Sequence, residues 1–459
     1  MAPDQIAQPA LRAWRRMATG SVNVRILRAF MIVGGLTFAV KLAALLKDML
    51  AAAAFGTGDS MDALLIAFLV PSFVINVVAG SFNAALIPVF IHTRERDGHA
   101  AAQRLFSGVV IVSLGLLSLV TLLLALGGAY ALPLLATGFG PAKLALTQRL
   151  FYLLLPAILI NGLATIWDAV LNAGERFALT ALVAIAVPLG SIAGLLLLGP
   201  ALGIYALAGG MVAGFAIELA LLTIGLRRQG LRIWPRWYGL EPPVRRVIGQ
   251  YLPMLAGAAL ISGNGLVDQT MAALLDPGSV AVLTYGNKLV SLVLGVGTMA
   301  LGTAVLPFFA TMVAQADWLR LRRSLRLYSG LILLVTIPCA LLGYWLSAPL
   351  IGLLYQRGNF SPADTLVVSR VQAMYVLQLP FHTLGILFVR LISALQANHI
   401  LLWGTLISFA LNVVLDYLLI QVLGIAGIAL ATTLVYVVSC GFLLLMLRLK
   451  LRQIAGEAG

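Results

Sequence analysis

Apolar runs of about twenty residues recur along the whole chain, separated by short polar punctuation. A hydrocarbon core about 30 Å thick needs about 20 residues of helix at about 1.5 Å each, so every such run predicts one membrane crossing. Twelve runs are found, centred roughly on residues 40, 75, 118, 160, 187, 215, 262, 297, 337, 380, 410 and 435. The longest segment between them, "RRQGLRIWPRWYGLEPPVRRV" at 227–247, is too short for a soluble domain. The predicted fold class is an all-α polytopic membrane protein. The first twenty residues lack the apolar core and small-residue cleavage site of a secretory signal, so a retained arm is expected over 1–24.

The polar punctuation also repeats. "LKDMLAAAAFGTGDSMDA" at 46–63 is similar to "LVDQTMAALLDPGSVAV" at 266–282, with Asp48 and Asp268 220 residues apart, as are Gly58 and Gly278. Further on, Pro88 and Pro307 stand 219 apart, Ala173 and Ala397 224, and Gly203 and Gly424 221. A repeat of six crossings returns the chain to its starting side, so both copies share one orientation and a cavity is expected between them. This predicts two pseudo-symmetric six-helix lobes, 25–228 and 248–448, a linker at 229–247 and a tail at 449–459. Such an arrangement suits a transporter better than a channel.

Composition agrees, with 61% hydrophobic and 10% charged residues and a mean hydropathy of +1.03. The net charge of +14 raises nucleic acid as a partner, but its placement argues against that reading. With the N-terminus inside, 22 of the 30 basic residues fall in inner segments, while the outer segments hold only Lys143, Arg149, Arg357 and Arg370. That asymmetry predicts cytoplasmic termini and contact with anionic membrane lipids. Cys339 and Cys440 lie in apolar runs without metal-ligand spacing and are expected to be buried free thiols. No nucleotide-binding loop is present, so ATP is not expected as the direct energy source.

Charged side chains inside a spanning helix are costly and so mark candidate function. Counted from Arg28, Lys41 lies about 20 Å into the bilayer, and Lys47 and Asp48 about 28–30 Å. The latter two either snorkel to outer headgroups or serve a site; Lys41 must face water, another helix or a ligand. The second half offers Lys288, and Arg390 nearer the inner end of its helix. Lysines converging from both halves imply an anionic substrate, with phosphate or pyrophosphate the simplest. The structural alternative pairs Lys41 or Lys288 with an acid such as Asp268. A second group, Asp268, Asn412, Asp416 and Thr432, lies at one level, about 8–13 Å from the outer helix ends. Four oxygen donors suit a small hard cation such as sodium; the alternative is an interhelical hydrogen-bond network. Asp168 and Glu218 have no assigned role, and His382 alone is weak support for a proton relay. Pro71, Pro156, Pro188, Pro253, Pro307, Pro338 and Pro380 are expected to bend or break helices.

Several of these stretches look familiar. "AAFGTGDSMDALLIAFLVPSF", "GSFNAALIPVF", "LPFFATM" and above all "LIGLLYQRGNFSPADT" resemble the MurJ/MviN family of lipid II flippases, within the multidrug, oligosaccharidyl-lipid and polysaccharide exporter superfamily. The similarity runs from about residue 25 to about 450, as in a short twelve-helix member. The resemblance implies a bacterial inner-membrane transporter, not an enzyme, turning an undecaprenyl-pyrophosphate-linked saccharide from the inner to the outer leaflet. It also implies substrate-binding roles for Lys41, Lys47, Asp48, Asp62 and Lys288, and a sodium site at Asp268, Asn412, Asp416 and Thr432 with a carbonyl near Ile428. Three departures stand out. Lysine replaces the family's arginines, losing the bidentate fork that matches a phosphate. Ile75, Asn76 and Ser291 stand where the family is charged, and its two extra C-terminal helices are absent from a chain ending at Gly459. Another glycan carrier therefore fits as well as lipid II. Alternatives are a cation-coupled multidrug exporter, or a glycan polymerase or ligase using outer acids such as Asp59, Asp276 or Asp364. No cofactor other than sodium is expected.

Overall fold

The computed structural model describes residues 22–457, with side chains at 33–295, 297–298, 301 and 305–454. Every regular element among them is helical. In the N-terminal half these are α1 (Val22–Phe55), α2 (Asp59–Val74), a π turn (Ile75–Ala79), α3 (Gly80–Leu135), α4 (Pro141–Leu154), α5 (Pro156–Ala173), α6 (Phe177–Val183), α7 (Ala186–Leu202) and α8 (Ile204–Arg228). The C-terminal half holds α9 (Pro242–Ala273), α10 (Ser279–Ala314), α11 (Trp318–Trp345), α12 (Ser347–Tyr355), α13 (Pro362–Val376), α14 (Leu379–Ala394), α15 (Asn398–Leu423) and α16 (Ile425–Glu457). All twelve predicted centres fall in helix. Eight stretches among the described residues are long and apolar enough to cross a bilayer. One of these, Asp59–Leu135, is interrupted at Gly98, whose φ of 81° no helix accommodates.

The N-terminal arm expected over 1–24 lies, up to residue 21, outside the described residues. Helix α9 begins at Pro242, inside the stretch expected as linker. Proline has no N–H to lose in a first turn, so Pro242 and Pro243 start the helix instead of delaying it. Prolines divide into two groups. Pro156 opens α5 and Pro380 stands at the start of α14, each after a break within an apolar run. Pro71, Pro253, Pro307 and Pro338 lie inside helices, Pro71 just ahead of the π turn.

The internal repeat leaves a backbone signature. Gly203 (φ 54°, ψ −130°) and Gly424 (φ 57°, ψ −136°) share one unusual conformation at equivalent helix junctions. Glu175 and Gln396, non-glycine residues with φ of 59° and 55°, stand the same 221 residues apart. The register at this earlier junction is thus 221, not the 224 read from Ala173 and Ala397.

Packing explains how apolar helices associate without a hydrophobic drive between them. Helices α7 and α8 approach through Gly190, Gly194, Gly210 and Gly214. A Cβ on Gly194 would come within 2.5 Å of the Ala206 carbonyl oxygen, and one on Gly210 within 2.5 Å of that of Gly190. Large side chains such as Leu126, Leu197, Leu334 and Val422 point outward, where lipid would lie. Cys440 is buried, but Cys339 is exposed, because its face of α11 looks out of the bundle.

Candidate functional site

The two halves meet in a seam at the end of the fold where α1 finishes and α10 begins. Asp62, in the first turn of α2, accepts the backbone N–H groups of Gly278 (2.7 Å) and Ala281 (2.8 Å). A carboxylate at a helix N-terminus satisfies otherwise orphaned donors, so Asp62 caps α10 from the opposite half. Its third partner is Lys143 at 2.7 Å, which also pairs with Asp59 at 2.8 Å and lies 4.0 Å over the Phe139 ring. Lys143, expected as an outer-segment charge, is in fact buried.

The segment "RGNFSPAD" completes the seam. Asn359 donates its backbone N–H to the Ala53 carbonyl (2.8 Å) and its side-chain amide to that of Ala54 (2.6 Å), satisfying the last turn of α1. Thr57 donates to Asp364, whose other carboxylate oxygen accepts from Ser361 in the capping box of α13. Asp59 and Asp364, considered above as outer catalytic acids, are thus held in structural pairs. Gly278 has φ 93°, and a Cβ there would collide with the Thr57 carbonyl. Gly278→Ala should therefore weaken the seam, lowering unfolding stability by about 1–3 kcal/mol while speeding labelling of a cysteine placed beneath it. Unchanged stability and labelling would contradict the assignment.

Below the seam lies the charged group. Asp48 is buried, with Lys47 at 2.7 Å and Lys288 of α10 at 2.5 Å. The alternative in which Lys288 pairs with an acid is met by Asp48, not by the Asp268 named for it, and Asp48 is buried instead of snorkelling outward. Lys41 lies two helical turns, about 10 Å, along α1. Its Cε and Nζ stand 3.0 and 3.1 Å from where a Cβ on Gly295 would sit, so the ammonium rests on α10 at its glycine gap. Among the described residues Lys41 makes no ion pair. Three lysines and one carboxylate leave this region net positive.

Lys288 borders a cavity of about 250 Å³ with Asp268, Gln269 and Tyr375. A second cavity of about 460 Å³ shares Gly265, Asp268, Asn287 and Ser291 with the first and extends past Gly295 to His382, Asn412 and Thr432. Lys288 and three members of the oxygen cluster, Asp268, Asn412 and Thr432, therefore border adjoining polar cavities, and Lys41 stands beside them at Gly295. Asn412 donates to Asp268 at 3.0 Å, and Thr432 donates to the Ile428 carbonyl at 3.1 Å. Both carboxylate oxygens of the fully buried Asp416 and the amide oxygen of Asn412 have no donor among the described residues. The Asn412–Asp268 bond is an interhelical hydrogen bond, and the orphaned oxygens beside it are acceptors of the kind a hard cation takes. No group of three or more His, Cys, Asp or Glu that could hold a metal ion is found among the described residues.

Other expected residues stand apart. Arg390 does not line the cavity; its Nε is buried without a partner on α14. Asn76 is exposed in the π turn, away from the seam contacts. Asp168 and Glu218 line a separate cavity of about 440 Å³ with Asn161, Asn172 and Thr180. Sequence reasoning missed Lys143 and Asn359 as seam residues. For Lys143 the only signal was a lone outer lysine in a chain with acids Asp59 and Asp62 at an outer turn.

The family model described as "Lipid II flippase MurJ" matches residues 51–458. The "Probable lipid II flippase MurJ" of Rhizobium meliloti is 30% identical over 423 residues, covering 88% of this chain and 77% of that protein. Its counterpart in Thermotoga maritima is 29% identical over 416 residues, 90% and 83% of the two chains. A solved structure of lipid II flippase MurJ in an inward closed conformation superposes with a TM-score of 0.79 at 22% identity, covering 91% of this chain and 87% of that one. An inward-facing multidrug transporter of the MATE family has a TM-score of 0.77 at 11% identity over 93% of this chain, a likeness of fold alone. With the family model spanning most of the chain and a relative at this identity over nearly its full length, the chain belongs to the MurJ lipid II flippase family.

Proposed function

We propose that this protein carries a polyprenyl-pyrophosphate-linked saccharide, lipid II or a glycan precursor on the same carrier, from the inner to the outer leaflet of a bacterial inner membrane. The observation that carries this reading is the gathering of Lys41, Lys47 and Lys288, from both halves of the chain, along the contact of α1 with α10, where Lys288 borders a polar cavity below the seam. In this reading twelve crossings form two six-helix lobes that rock about the cavity, and the basic excess of the inner segments keeps both termini cytoplasmic. Lys41 and Lys288 neutralise the pyrophosphate while the saccharide occupies the polar space bordered by Asn287, Ser291 and Gln269. The substrate competes with Asp48 for Lys288. Loss of that pair removes one of the bonds holding α1 to α10, which favours opening on the seam side.

Asp268, Asn412, Asp416 and Thr432, with the Ile428 carbonyl, would hold a sodium ion. The ion supplies positive charge that lets two acids share one buried site. Without it, the acids repel and α9 and α15 tend to separate. A cationic drug as cargo is disfavoured by the surplus of lysine in the cavity. The test is reconstitution: vesicles containing the protein should move a fluorescent polyprenyl-pyrophosphate saccharide between leaflets well above protein-free vesicles. Equal rates in both would refute the reading.

A further inference from the structure

On the flank of the N-terminal half a groove of about 580 Å³ lies between α6–α7 and α8. Its walls are apolar, and Leu182, Leu221 and Ile224 are 49%, 41% and 48% exposed, so they face the surroundings of the bundle. At one end stand Arg176 and Arg228, both exposed, and neither makes an ion pair among the described residues. No carboxylate lines the groove.

The two faces of α6 and the turn after it are used differently. Phe177, Thr180, Ala181 and Ala184 line the polar cavity that holds Asp168, while Leu179, Leu182, Val183 and Ala186 line the groove. Each set follows the three- and four-residue spacing of one helix face, and the sets are offset by two residues, so they point in nearly opposite directions. The groove is therefore turned away from the interior of the bundle, and a molecule in it does not share the path of a substrate bound at Lys41 and Lys288.

We propose that this groove holds one anionic glycerophospholipid, its phosphate on Arg176 and Arg228 and one acyl chain along Leu182, Leu221 and Ile224. An apolar trough ending in two unpaired guanidinium groups matches a molecule that is a hydrocarbon chain at one end and a phosphate at the other. The absence of a carboxylate leaves nothing to pair with the ammonium of a zwitterionic headgroup. That selects a headgroup with net negative charge.

The test is native mass spectrometry of the whole protein titrated with phosphatidylglycerol or phosphatidylethanolamine. The wild type should retain one phosphatidylglycerol at least about tenfold better than phosphatidylethanolamine, as two arginines at a headgroup imply. Two variants probe the groove: R176Q/R228Q removes the phosphate contacts, and I224W fills the trough with both arginines in place. Both should lose the retained lipid while keeping a native thermal midpoint, whereas R94Q/R96Q, which removes two exposed charges elsewhere, should keep it. No preference between the lipids, loss in only one groove variant, loss in the R94Q/R96Q control, or retention of a polyprenyl phosphate in place of phosphatidylglycerol would each overturn the proposal.

Discussion

Lys41→Ala should reduce translocation of a polyprenyl-pyrophosphate saccharide by about a hundredfold while leaving the fold intact. Lys41 has no carboxylate partner among the described residues and rests against the gap at Gly295. Its removal therefore strands no opposite charge and lifts a cost of holding an ammonium at membrane depth. The loss falls on the ligand. Truncating one partner of a desolvated charge pair costs about 2–5 kcal/mol, and about 3 kcal/mol is roughly a hundredfold. Lys288→Ala makes an instructive contrast, since it also breaks the contact with the buried Asp48 and should lower thermal stability along with transport. Translocation and unfolding measured on the same two preparations separate the roles; full transport in Lys41→Ala would remove it from the site.

The second large effect concerns Asp416. Wild-type protein should gain thermal stability with sodium, by about 2.7 kcal/mol at a concentration a hundred times the dissociation constant. Asp416→Ala should abolish that dependence, because it supplies two of the three acceptor oxygens left without partners in the cluster. Potassium at equal ionic strength controls for screening. A sodium dependence that survives the substitution would place the ion elsewhere.

The legibility of the protein differs by feature. The apolar helices were readable because bilayer thickness sets the length of every apolar run, and the repeat because Gly203 and Gly424 each sit at a junction that demands the same backbone conformation. Lys41 and the oxygen cluster stood out as candidates from depth, since a membrane penalises each polar side chain individually. Partners were not readable. Asp48 and Lys288 are 240 residues apart, and nothing in a helical pattern fixes how α1 and α10 are rotated against each other. The same is true of Asp62, which the resemblance gives to the substrate but which caps α10 and binds Lys143. The specific "GNF" stretch was recognisable as a motif long before its physical task, closing the last turn of α1, could be seen.

The central claim is that lysines from both halves grip one pyrophosphate. It is tested most directly by measuring binding of a polyprenyl-pyrophosphate saccharide to wild type, Lys41→Ala, Lys288→Ala and the double variant. The account predicts at least about tenfold weaker binding in each single variant and a double effect that departs from the product of the two, as expected for side chains sharing one ligand. Wild-type affinity in both single variants would contradict it.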